Sequence, residues 1–129
     1  MIALDTHAWL WYVDDPAKLR PKARQAVEAA AESGELYVSC ISTWEILMLE
    51  KKQRLELAIP AEIWLDRCQD TGVFSFVPID NAISRLSVSL ALHGDPADRF
   101  IAATAVYLGA TLITKDRRLR DSRKVSTLW

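Results

Sequence analysis

Ala97-Asp98-Arg99-Phe100-Ile101-Ala102-Ala103-Thr104-Ala105-Val106-Tyr107-Leu108-Gly109-Ala110-Thr111-Leu112-Ile113-Thr114-Lys115-Asp116 decides the fold class of this chain. Ala97–Leu108 reads as a helix that stops at Gly109, a residue able to take the left-handed conformation that ends helices. Two positions later Thr111–Thr114 reads as a strand, too uniformly apolar to have one face in water. A helix feeding a fully buried strand is half of a βαβ unit.

The same alternation extends outward. Ile2–Leu4 and Leu36–Ser39 are equally apolar strand candidates, and Val73–Ile79 is a fourth. Helical patterns fill the gaps: Lys22–Glu32 before Gly34, Thr43–Lys52, Ala61–Gln69 before Gly72, and Asn81–Leu92. This order predicts an α/β fold with a parallel central sheet of four or five strands and helices on both faces. No repeat, linker or low-complexity tract divides the chain, so residues 1–129 are expected to form a single domain. A length of 129 residues, half of them hydrophobic, supports a buried core without disulfide or metal staples.

Sixteen Lys plus Arg stand against 17 Asp plus Glu, a net charge of -1. That excludes a protein holding nucleic acid by overall positive charge, so any such contact must be local. Cys40 and Cys68 lack Cys-x-x-Cys spacing and a nearby histidine, which points to two buried thiols rather than a zinc or redox motif. Met1-Ile2-Ala3-Leu4-Asp5 places an acid where a signal peptide carries bases. Phe100–Thr114, the longest charge-free stretch, is 15 residues, short of the ~18 to 20 a membrane span needs. A reducing cytoplasm is the expected location, with no membrane association.

In open parallel sheets ligands bind beyond the C-terminal strand ends. Asp5 follows the first strand directly. Glu45 sits in Ser42-Thr43-Trp44-Glu45, at the opening of the predicted helix after Leu36–Ser39. Asp98 sits in the first turn opened by Asp95-Pro96-Ala97-Asp98, and Asp116 follows the last predicted strand by two positions. Each has a local explanation: Ser42 with Glu45 is a capping box, Asp95 is an N-cap with Pro96 at the first helical position, and Asp116 can cap a short turn. Convergence of all four requires more. Two carboxylates about 4 Å apart repel by roughly 4 kcal/mol at an effective dielectric near 20, against a total stability of only ~5 to 15 kcal/mol. Either the acids do not converge, some are protonated, or a divalent cation neutralises them. Oxygen-only ligands favour Mg²⁺ or Mn²⁺ over zinc, and such a site suits phosphate chemistry.

At these residues the sequence resembles the PIN-domain ribonucleases, specifically the VapC-type toxins of bacterial and archaeal toxin–antitoxin pairs. The resemblance is carried by Leu4-Asp5-Thr6-His7-Ala8-Trp9-Leu10-Trp11, by Ser42-Thr43-Trp44-Glu45-Ile46, by the run from His93 through Asp98 to Ala105, and by Leu112-Ile113-Thr114-Lys115-Asp116. It implies a PIN-like three-layer fold and a Mg²⁺-dependent endoribonuclease, with Mn²⁺ as substitute, that leaves 5′-phosphate and 3′-hydroxyl ends. The family's acidic metal-binding positions fall on Asp5, Glu45, Asp98 and Asp116, and its hydroxyl positions on Thr6, Ser42 and Thr114. Asp95 is an additional acid in a supporting role. Homodimers and a small VapB-type antitoxin that blocks the site are also implied.

The basic residues are read separately. Between Lys115 and Lys124, six basic residues, Lys115, Arg117, Arg118, Arg120, Arg123 and Lys124, outnumber Asp116 and Asp121. A charge run is ordinarily a solvated face, yet this one begins beside a candidate catalytic acid, so Arg117, Arg118 and Arg120 are candidate RNA contacts. Arg99 is either a phosphate contact or a partner for one of the acids. His7 and His93 are expected to make structural hydrogen bonds, since metal-activated hydrolysis needs no histidine. Trp9, Trp11, Tyr12, Trp44 and Trp64 cannot all share one core, and any left exposed would suit a dimer or antitoxin surface.

Two rivals share much of this pattern. A receiver-like signalling module also holds Mg²⁺ with acids at strand ends, and Asp80 and Lys115 fall roughly where it needs them, but Asp5 has no acidic neighbour. A PIN-like domain that only binds RNA or a partner would not need acids at all four positions.

Overall fold

The computed structural model describes all residues 1–129. Five strands, β1 (Ile2–Leu4), β2 (Leu36–Ser39), β3 (Ser75–Val77), β4 (Thr111–Ile113) and β5 (Thr127–Leu128), form one sheet in the order β3-β2-β1-β4-β5. Every pairing is parallel, with Leu4 opposite both Val38 and Ile113. The chain therefore reverses its direction of travel across the sheet between β1 and β4. This order separates the fold from the receiver type, in which the first strand lies between the second and third.

Seven helices flank the sheet: α1 (Thr6–Asp14), α2 (Pro21–Ser33), α3 (Cys40–Lys51), α4 (Ala61–Asp70), α5 (Asn81–Ser89), α6 (Pro96–Leu108) and α7 (Arg117–Asp121). Strand side chains alternate between faces, and the two cores follow from that. Leu4, Leu36, Val38 and Ile113 pack with Trp9, Val27, Ile46, Trp64 and Cys68 from α1 to α4. Ala3 and Leu112, one residue out of step, pack with Ile101, Ala102, Ala105, Leu119 and Val125 on the opposite side. The result is the expected three layers. Alanines dominate the second core, which lets α6 lie close against the sheet.

Several boundaries differ from those the sequence predicts. The third strand spans Ser75–Val77 rather than Val73–Ile79, because only those residues find partners on β2. β5 is a two-residue edge strand beside β4, too short for periodicity to reveal. Helix α5 stops at Ser89 rather than Leu92, and Ala91 takes a positive φ of 50°. The larger correction is α3, which starts at Cys40 instead of Thr43. Its N-cap is Ser39, whose hydroxyl accepts from the Ile41 amide at 3.2 Å, so Ser42 and Glu45 form no capping box. Both are freed for the site described below.

Cys68 is buried, and its thiol is pushed up to about 11 by burial and by the Asp14 carboxylate. Cys40, the first residue of α3, is only half-buried, against expectation. No helix is long and apolar enough to cross a membrane.

Candidate active site

β1, β2 and β4 end at one edge, and α6, running antiparallel to β4, begins there. Each element delivers an acid for a local reason. Asp5 ends β1 and caps α1, its carboxylate accepting from the Ala8 amide at 2.8 Å. Asp95 caps α6 through the Ala97 amide at 3.1 Å, with Pro96 at the first helical position. That start places Asp98 in the first turn. Asp116 caps α7 by accepting from Arg118 at 2.8 Å and Leu119 at 3.4 Å. Glu45 lies in the second turn of α3, aimed by a hydroxyl pair.

The Thr6 hydroxyl is in hydrogen-bond contact with Ser42 Oγ, 2.9 Å away, and with Glu45 Oε1. Thr6 Oγ1 is the donor in both contacts, so its single proton is shared between Ser42 Oγ and the Glu45 carboxyl oxygen. Thr6, Ser42 and Thr114 are buried. Thr114 Oγ1 accepts from the Asp116 amide at 3.0 Å and also holds Asp5. The three hydroxyls thus anchor Glu45, Asp5 and the Asp116 backbone.

Asp5, Glu45, Asp95, Asp98 and Asp116 line one cavity of about 450 Å³ with Thr6, His7, Trp11 and Lys115. Convergence has an electrostatic consequence. Burial, then the charges of Glu45, Asp95, Asp116 and Asp5, push the Asp98 carboxyl up to about 7. Burial also raises Asp5, although the Thr114 hydroxyl and Ala8 amide oppose the shift. The acids are spread around the cavity, and no three stand at a spacing that would hold one ion. The donor set is all oxygen and suits a hard divalent cation, whose charge would remove the repulsion that raises Asp98.

The other candidates divide. Arg117 and Arg120 line a neighbouring groove, whereas Arg118 places Nη1 beside Gly94, near the start of α6. Arg99 is half-buried, its Nε enclosed without a partner, and it pairs with none of the acids. His7 and His93 are exposed rather than held in structural hydrogen bonds; His7 lines the cavity, its ring 5.8 Å from that of Trp11. Asp80, the receiver-like acid, caps α5 through the Ile83 amide and lies outside the cavity. Sequence reasoning missed Trp11 and Lys115 as cavity residues. The i, i+4 spacing of His7 and Trp11 behind Asp5 was the available signal for one of them.

Strand order, three layers and a carboxylate-lined cavity at the switch point between β1 and β4 together define a class. The chain belongs to the PIN domain family, whose model matches residues 2–125. It is 39% identical to Ribonuclease VapC22 of Mycobacterium tuberculosis, over 99% of this chain and 98% of that protein. Among solved structures, the fold is similar to VapBC2 from Rickettsia felis bound to a promoter DNA fragment, with a TM-score of 0.71, 16% identity, and 99% and 98% of the two chains covered. DNA-bound VapBC from Salmonella typhimurium gives a TM-score of 0.72 at 15% identity, with 98% and 96% covered.

Proposed function

We propose that this chain is a VapC-type endoribonuclease toxin that hydrolyses RNA phosphodiester bonds with Mg²⁺, or Mn²⁺ in its place, to 5′-phosphate and 3′-hydroxyl ends. The carrying observation is the cavity that gathers Asp5, Glu45, Asp98 and Asp116 and raises Asp98 to about 7. Full-length similarity to a ribonuclease supports the choice of reaction. Asp5, Glu45, Asp98 and Asp116 are the residues that would hold the ion. When bound, the ion supplies positive charge against the phosphate and acidifies attacking water.

This chain's own residues supply the rest. Thr6 and Ser42 fix Glu45, and Thr114 fixes Asp5 while bracing the turn that presents Asp116. Asp95 secures the first turn of α6 and with it Asp98. Outer hydrogen bonds of this kind typically alter metal affinity or activity 10- to 100-fold when removed. Lys115, at the cavity wall, offers a cation to the substrate backbone.

The protein works as a homodimer held by a VapB-type antitoxin in the cytoplasm. The VapBC assemblies sharing its fold support that partner class. Trp44, 53% exposed on α3, is an aromatic anchor available for such contacts. Incubating purified protein with total RNA and Mn²⁺ tests the reading; cleavage that persists undiminished in chelator would overturn it.

A further inference from the structure

Beside the acidic cavity lies a second groove of opposite character, about 580 Å³, lined by Arg20, Lys115, Arg117, Arg120, Leu128 and Trp129, among others. Asp121 is the one acidic side chain in its wall. None of the four cations forms an ion pair; the pairs in the molecule are those of the N-terminus with Glu35 and Arg24 with Glu28. Four basic side chains drawn from two separate parts of the chain and left without carboxylate partners form a surface suited to an anion.

The two cavities are joined. Lys115 lines both, and its Nζ stands 5.9 Å from the Trp11 ring centroid. Trp11 lines the acidic cavity, Trp129 lines the basic groove, and their rings are 5.6 Å apart, tilted by 53°. A continuous aromatic and cationic wall therefore leads out of the carboxylate pocket. Cations at phosphate positions beside an aromatic face are the parts from which single-strand sites are built.

We propose that this groove is a subsite for single-stranded RNA flanking the scissile bond, with Lys115, Arg117, Arg120 and Arg20 on successive phosphates and one base stacked on Trp129. The inference rests on the ribonuclease reading and extends it to the substrate's conformation. An RNA strand fits better than a protein tail because the wall pairs many unneutralised cations with few apolar side chains. Paired bases could not present a free face to Trp129, so a duplex would not use the groove.

Binding of a fluorescently labelled single-stranded RNA of about 12 nucleotides, measured in chelator so that nothing is cut, tests the subsite. Trp129→Ala should weaken binding about ten-fold, while Trp129→Phe keeps most of it. The exposed double variant Arg117→Ala/Arg120→Ala should lower the salt dependence, the slope of log K against log salt, by about 1.4. In Mn²⁺ each should raise KM more than it lowers kcat. Unchanged affinity and slope in the folded arginine variant would overturn the subsite, as would equal affinity for a duplex of the same length. So would a variant that binds RNA normally but loses a co-expressed antitoxin, because the groove would then serve a protein. Absence of cleavage by the unmodified protein strikes the ribonuclease reading itself.

Discussion

Thr6 at the start of α1 and Ser42 in α3 meet hydroxyl to hydroxyl at 2.9 Å, and the same Thr6 hydroxyl contacts Glu45. This links the segments following β1 and β2 through buried polar groups, one of which orients a candidate ligand. Thr6→Val, close in shape, should leave Ser42 without its partner and cost about 1 to 3 kcal/mol of stability. Cleavage should fall roughly 10- to 100-fold as Glu45 loses its constraint. Thr6→Val and Ser42→Ala should be less than additive in a double-mutant cycle. Strict additivity in both denaturation and kinetics would deny the linkage.

Asp98→Asn should eliminate metal-dependent cleavage yet stabilise the metal-free protein. The asparagine keeps the shape and removes one of several like charges. After discounting for solvent screening, the gain is about 1 kcal/mol. Thermal melts in chelator measure it, and a lower melting temperature for the variant would contradict the repulsion argument.

Stability of the metal-free protein should depend on pH with a definite sign. Asp98 titrates near 7 in the folded chain and near 3.8 unfolded, so between those values the folded state holds the extra proton. Stability should therefore decline as pH rises from about 4 to about 7 through this group and level off above. Denaturant melts across that range should show the decline, and saturating Mn²⁺ should offset it by binding the folded state. A clearly shallower decline in Asp98→Asn than in the parent, with the remainder left to the raised Asp5, would assign the effect to this residue, and identical slopes would contradict it.

The tryptophans should separate by burial. Trp9 is fully buried, with rings of Trp64, Phe74 and Phe76 within 6 Å. Trp9→Ala should cost about 3 to 5 kcal/mol. Trp44→Ala should change monomer stability by less than about 0.5 kcal/mol. Light scattering would show whether the second substitution weakens self-association, as an anchor in the dimer requires.

Much of this was legible in the sequence because the informative residues sit where local rules are strong. Gly109 and the apolar Thr111–Thr114 run announced a helix followed by a buried strand, Asp95 and Asp116 were placed by their capping chemistry, and Asp5 by its position directly after the first strand. The capping rule also misled. Ser42-x-x-Glu45 satisfies the pattern, but Ser39 begins the helix three residues earlier, and the pattern carries no information on which hydroxyl wins. The basic groove was out of reach for another reason: Arg20 precedes α2, Trp129 follows β5, and tertiary packing, including β5 beside β4, sets both next to Lys115.

The central claim is that the carboxylate cavity cuts RNA with a divalent ion. Mapping 5′ ends on total RNA after incubation with the purified protein tests it most directly. Discrete new 5′-phosphate ends should arise with Mn²⁺ and vanish both in chelator and with Asp98→Asn. Equal cleavage in all three conditions would contradict it.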